Sequence, residues 1–282
     1  MNERKDFDLI VIGAGTGGTG VARMTSAARW KVAVVDHLPY GGTCALRGCD
    51  PKKMLIAVTE GVDWARNLKG KGLEAQASID WPAMIAFKRT FTDAMPGRIE
   101  TGLEKAGVVA LHGQARFTGQ NTIEVNGDSL TARHFHIATG ARPMTLNIPG
   151  EELLITSTDF LKLPERPDRV VFVGGGFIAM EFAHICKRAG SAEVTVLEMM
   201  RRPLGNFDPD MVDLLSEATT ELGIDLRTEA KVLKIEKDGA DLVVTYEAPE
   251  GKQTVRCDSV VHATGRVPNI ESLNLEAAGV EY

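Results

Sequence analysis

One order of features occurs twice in this chain. Phe7 to Ile12 is a short apolar run that leads at once into Gly13-Ala14-Gly15-Thr16-Gly17-Gly18. Val21 to Ala28 then reads as a helix, and Lys31 to Val35 as a second strand that ends at Asp36. Much later, Val170 to Val173 leads into Gly174-Gly175-Gly176-Phe177-Ile178-Ala179. A helical Met180 to Ala189 follows, then a strand, Val194 to Leu197, that ends at Glu198. Each half closes on the same tripeptide, Ala138-Thr139-Gly140 and Ala263-Thr264-Gly265. Two glycine loops could arise by chance; the same four features in the same order twice could not reasonably do so.

A strand that passes through a glycine loop into a helix and returns as a second strand makes a parallel α/β unit. Gly13 permits the tight turn, Gly15 lets the backbone approach a pyrophosphate, and Gly18 allows close helix–strand packing. The pyrophosphate would lie at the helix N-terminus. Asp36 and Glu198 stand roughly twenty residues beyond their first glycines, where an acid meets a ribose hydroxyl. The fold expected is α/β, with two Rossmann-like dinucleotide-binding domains, each carrying a β-meander.

Between the repeats, Met54 to Leu68 reads as a helix, and residues 83 to 106 as another, broken or bent near Pro96-Gly97. Val108 to Leu111, Gln114 to Phe117, Thr122 to Val125 and Leu130 to Arg133 look like short antiparallel strands. His134 to Ala138 reads as a separate buried strand. A linker rich in Pro and Gly near Asn147 to Glu151 marks a domain boundary. In the second half, strands are expected near Val232 to Glu236, Leu242 to Tyr246, Gln253 to Arg256 and Ser259 to Ala263.

A chain of 282 residues suggests about two domains. A formal net charge of −6 argues against a nucleic-acid partner. No stretch approaches the ~18 apolar residues of a membrane span. Met1 to Asp6 is charged and runs directly into a strand, so no signal peptide is evident. A cytoplasmic, reducing setting fits, and thiols there would cycle instead of serving as staples.

There are four cysteines. Cys44 and Cys49 have four residues between them, not the two of a zinc pair, and no second pair exists. If residues 43 to 60 form a helix, the two lie on adjacent turns near its start, where amides and the helix dipole favour thiolate. Lys52 and Lys53 push the same way, and Asp50 opposes them. Cys186 and Cys257 stand alone and are expected to be buried structural thiols.

The run Gly41-Gly42-Thr43-Cys44-x4-Cys49-x-Pro51-x-Lys53 resembles the redox motif of the class I pyridine nucleotide-disulfide oxidoreductases, which include glutathione reductase, dihydrolipoamide dehydrogenase and mercuric reductase. The resemblance implies an FAD-binding domain at 1–148, an NAD(P)-binding domain at 149–267, and a return towards the FAD domain at 268–282. FAD contacts would come from Gly13, Gly15, Gly18, Asp36, Gly42, Thr43, Thr139, Gly140 and the backbone of Ala115. Gly174, Gly176, Phe177, Glu198 and Gly265 would serve the nicotinamide dinucleotide, with Phe177 either shielding the flavin or packing in the core.

The implied chemistry passes two electrons from NAD or NADP, through flavin, to a Cys44–Cys49 disulfide. Cys49 would face the flavin and Cys44 would meet a small-molecule disulfide or dithiol substrate. One lysine of the Lys52-Lys53 pair, with Lys53 favoured, would lie by the flavin and pair with Glu181. Glu198 favours NADH, although Arg201 and Arg202 could bind a 2′-phosphate. Asp50 departs from the family, which usually has an apolar residue there, and should weaken thiolate-to-flavin charge transfer.

Family members run well past this length. The resemblance therefore implies a C-terminally truncated chain that lacks the dimerisation domain and its catalytic base, with a homodimer expected for the full-length form. Two other functions stay open: a nucleotide-binding fragment without turnover, and a flavoprotein reductase of a non-disulfide acceptor.

Overall fold

In the computed structural model, residues 5–74 and 77–282 are described. The chain divides into two compact units. The first contains the described residues up to Pro51, with Arg89–Arg142 and Val267–Tyr282. The second contains Lys52–Lys88 and Pro143–Arg266.

The first unit is built on β1 (Lys5–Ile12), α1 (Thr16–Ala27), β2 (Val32–Asp36), α2 (Gly42–Arg47), the first turn of α3 (Cys49–Asn67), the end of α4 (Trp81–Thr92), α5 (Met95–Lys105), β3 (Val109–His112), β4 (Ala115–Gly119), β5 (Thr122–Val125) and β6 (Asp128–Ile137). The strands form one six-stranded sheet in the order β3-β2-β1-β6-β5-β4. β1 pairs in parallel with both β2 and β6. Because side chains alternate along a strand, the sheet buries both faces. Ile10, Ile12, Ala33 and Val35 enter one core cluster, and Leu9, Val11, Val32 and Val34 enter the other. The buried Tyr40 hydroxyl accepts from the Leu111 N–H and donates to the Val34 carbonyl, which ties β3 to β2. Leu273 and Leu275, on two short 3-10 turns, cap the first of these clusters.

The second unit adds α6 (Ser157–Phe160), β8 (Arg169–Val173), α7 (Phe177–Arg188), β9 (Glu193–Leu197), α8 (Pro209–Glu221), β10 (Asp225–Arg227), β11 (Lys231–Asp238), β12 (Asp241–Ala248), β13 (Gly251–Cys257) and β14 (Ser259–His262), after the short strand β7 (Ala141–Pro143). A four-stranded parallel sheet, β10-β9-β8-β14, lies beside a three-stranded antiparallel sheet, β11-β12-β13. The same alternation recurs: Val170 and Phe172 enter one cluster, Val171 and Val173 the other. α7 presents Ala179, Met180, Phe182, Ala183 and Cys186 as its buried stripe, at helical spacing. Cys186 and Cys257 are buried, as expected, and burial pushes each thiol up to about 12.

Several expectations need correction. The helix imagined over 43–60 is two helices broken at Gly48, whose backbone leaves the helical region (φ −146, ψ −109). The break expected near Pro96-Gly97 is present: residues 83–106 fall into two helices, and Pro96 lies in the first turn of α5. Leu130 to Arg133 and His134 to Ala138 are one strand: β6 runs parallel to β1 from Leu130 to Ile137 and also supports β5. Val109–His112 is not part of a meander; it pairs in parallel with β2. Residues 52–88, read with the first half of the sequence, belong to the second unit, where Leu55, Trp81, Met84 and Ile85 enter its core.

On α7, His184 Nδ1 can only accept from the Arg188 guanidinium, so its Nε2–H donates to Thr219 Oγ1 at 2.9 Å. Burial, then the Arg188 charge, depress its pKa from 6.5 to about 4, against a weaker pull from Asp63. The unfolded chain therefore binds a proton that the folded unit refuses. Stability is complete above pH 6.5 and falls as pH drops towards 4, by up to one proton per molecule in slope. Urea unfolding of the protein and of His184→Gln across that window checks this; equal pH slopes would refute it.

Candidate functional site

Each unit contains a cleft at the carboxyl ends of its parallel strands. In the first, Gly13 turns with φ +111, and a Cβ there would stand 2.2 Å from the Ala138 carbonyl oxygen. Only glycine fits where the loop meets the end of β6. Gly18 faces inward on α1, where a Cβ would come 1.9 Å from the Gly13 oxygen. Gly15 and Gly42 bring two loops together, since a Cβ on Gly42 would be 2.5 Å from the Gly15 Cα. The cleft is lined by Gly13, Gly15, Asp36, Gly42, Thr43, Ala115, Thr139 and Gly140. Gly18 supports that lining without forming part of it.

The second cleft, of about 370 Å³, is lined by Gly174, Gly176, Phe177, Glu198 and Gly265, with Met200, Arg202 and Phe207. The hydrogen bonds repeat those of the first. Asp36 accepts the Ala14 N–H at 2.7 Å and the Leu38 N–H at 2.9 Å. Glu198 accepts the Gly175 N–H at 2.5 Å and the Met200 N–H at 2.8 Å. Gly13 donates to Val35 and Gly174 to Leu197, each at 2.8 Å. Each acid thus pins its glycine loop to the strand exit, and each oxygen keeps a second lone pair for a ribose hydroxyl.

Cys44 is half-buried on α2, and Cys49 is exposed at the start of α3, on the other side of Gly48. Asp50 and Pro51 lie in the first turn of α3, which is a favourable place for both residue types.

The lysine expectation is corrected. Lys52, not Lys53, pairs with Glu181, one turn beyond Phe177 on α7. Lys52 is buried and Lys53 is exposed. Adjacent helical residues point about 100° apart, so only one can face α7. Lys52 Nζ also lies 5.3 Å from the Phe177 ring centroid. Phe177 itself is 55% exposed, so it lines the cleft and is not a core residue. Because Glu181 stays partly hydrated, Lys52→Met should cost about 1–2 kcal/mol. Lys53→Met should stay within ~0.5 kcal/mol of the unaltered protein. Equal denaturation midpoints for the two variants would show the pair to be inert.

Sequence reasoning missed Arg47, Asn269 and Ser272, which also line the first cleft. Arg47 follows Thr43 by four residues, one helical turn, and that spacing was available as a signal. Asn269 and Ser272 arrive from the distant end of the chain, where Ser272 accepts from Gln114 at 2.9 Å. Among the described residues, no cluster of His, Cys, Asp and Glu could hold a metal ion, and no helix is long and apolar enough to cross a membrane.

Two glycine-loop clefts of one design thus stand in one chain, with the Cys44–Cys49 segment next in sequence to the lining of the first. The chain belongs to the pyridine nucleotide-disulphide oxidoreductase family, whose profile it matches over residues 7–282. It is 37% identical to glutathione reductase of Burkholderia cepacia, over 99% of this chain and 61% of that protein. It is 36% identical to mercuric reductase of Bacillus cereus, over 98% and 44% respectively. Dihydrolipoyl dehydrogenase of Thermus scotoductus is also 36% identical, over 98% and 61%. Among solved structures, the HOCl-induced flavoprotein disulfide reductase RclA from Escherichia coli, as its Cu(II) complex, superposes with a TM-score of 0.85 at 25% identity, over 98% of this chain and 60% of that one. The chain thus spans 44% to 61% of the length of these three relatives.

Proposed function

We propose that the first cleft holds FAD, that the second holds a nicotinamide dinucleotide, and that Cys44 and Cys49 form the redox pair of an NADH-dependent disulfide reductase. The observation that carries this is the paired design: two clefts with the same acid-to-loop hydrogen bonds, joined in one chain to a Cys-x4-Cys segment. Bound flavin supplies a two-electron relay between nicotinamide and disulfide. The protein's own part is to hold the two dinucleotides and to exchange thiols. A Cys44–Cys49 disulfide takes two electrons and two protons and opens to two thiols. Cys44 then attacks a small-molecule disulfide and releases one thiol. Cys49 resolves the mixed disulfide, releasing the second thiol and closing the ring again. Lys52, and not the Lys53 of the motif, is the lysine of the adjacent pair that takes the expected ion pair with Glu181.

NADH is favoured over NADPH. The Glu198 carboxylate suits a 2′-hydroxyl and repels a 2′-phosphate. Asp213 already holds Arg202 through two hydrogen bonds of 2.7 and 2.8 Å, and Arg201 pairs with Glu229. A lower KM for NADPH than for NADH would reverse this choice.

The test is simple. Purified protein should be yellow and should gain two reactive thiols on addition of NADH. Colourless protein points instead to a nucleotide-holding piece without turnover. Yellow protein with a constant thiol count points to a flavoprotein that reduces a non-disulfide acceptor.

A further inference from the structure

Arg47 brings a cation into the first cleft without bringing an anion to match it. It is the last residue of α2, and with Thr43 it leaves the same face of that helix to line the cleft. Among the described residues, no hydrogen bond or ion pair engages its guanidinium. Asp36 attracts it, but both Asp36 oxygens already accept the Ala14 and Leu38 amides. Burial lowers the pKa of the guanidinium from its ordinary value, and Asp36 opposes that shift only partly. A half-buried, unmatched charge carries a standing desolvation cost, which an anionic ligand would offset. The same cleft contains the glycine loop and the N-terminus of α1, whose amides suit a phosphate.

Building on the reading that this cleft holds FAD, we propose that Arg47 clamps the diphosphate of the dinucleotide. Its planar fork matches two phosphate oxygens and adds charge to the neutral amide donors of the loop. Arg47 is therefore a binding residue, placed between the two cysteines of the motif, that couples the redox segment to retention of the cofactor.

The experiment strips bound nucleotide from the protein and from Arg47→Met and Arg47→Lys, then titrates FAD, ADP and adenosine at several salt concentrations. Arg47→Met should weaken FAD and ADP by roughly tenfold or more, since a charge-assisted contact to phosphate is lost. Adenosine affinity should not change, Arg47→Lys should recover part of the loss, and the salt dependence of FAD binding should flatten in Arg47→Met. FAD and ADP binding by Arg47→Met within about twofold of the unaltered protein would overturn the Arg47 assignment and leave the FAD reading in place. Equal losses for ADP and adenosine would also overturn it, because that is how a damaged cleft behaves. If the unaltered protein binds neither FAD nor ADP, the FAD reading itself fails, and Arg47 with it.

Discussion

Cys49→Ser should leave a protein that binds flavin and accepts electrons from NADH but no longer passes them to a disulfide. The expected fall in NADH-dependent thiol release is at least ~10³-fold, because the step needs both sulfurs and not merely a nucleophile. Serine cannot close a disulfide with Cys44, so an enzyme–substrate mixed disulfide has no partner to resolve it. Cys44→Ser should be as severe. Cys186→Ser and Cys257→Ser are the controls. Both residues are buried, with thiols pushed up to about 12, and neither lines a cleft described above. NADH oxidation in the presence of a small disulfide, with product thiols counted, reads the result. Undiminished thiol release by Cys49→Ser would remove the cysteine pair from the reaction.

The second large effect is structural. Gly18→Ala should destabilise the first unit by about 3 kcal/mol and weaken FAD binding with it. The added methyl would lie 1.9 Å from the Gly13 oxygen and 3.1 Å from its carbonyl carbon, with Val11 Cγ1 at 3.0 Å. Two of these three atoms are backbone, in the very loop that would meet the pyrophosphate, so relief means lifting α1 from β1. Gly17→Ala, one residue earlier in the same helix, meets nothing within 4 Å. There alanine should stabilise the helix by roughly 0.5–1 kcal/mol. Neighbouring substitutions of identical chemistry thus carry opposite signs. Denaturant midpoints and FAD titration decide the matter; a Gly18→Ala midpoint at or above that of Gly17→Ala would mean that the helix packs less closely on its strand.

The repeat was readable because each of its parts is local. A glycine at φ +111 or +97, an acid at a strand end and an alternating strand each leave a mark within a few residues. What escaped were pairings chosen over long separations. The choice between Lys52 and Lys53 depends on which helical face meets α7, and Glu181 is far away in sequence. The composition of His134 to Ala138 does not say that it continues the strand begun at Asp128; pairing with β1 does. The one-turn spacing from Thr43 hints at the face that Arg47 occupies, but the cleft itself exists only once Asp36, Ala115 and Asn269 have folded around it.

The sequence by itself determined the two glycine loops, their terminal acids, the α/β class and the cysteine pair, because each follows from backbone sterics or side-chain chemistry over a short span. Only the tertiary structure decided that Lys52 takes Glu181, that residues 52–88 pack with the second unit, and that Arg47 faces the first cleft. The physical reason is that burial and partnership are properties of surfaces brought together from distant parts of the chain. A local pattern can permit such a meeting but cannot choose among the partners that would satisfy it.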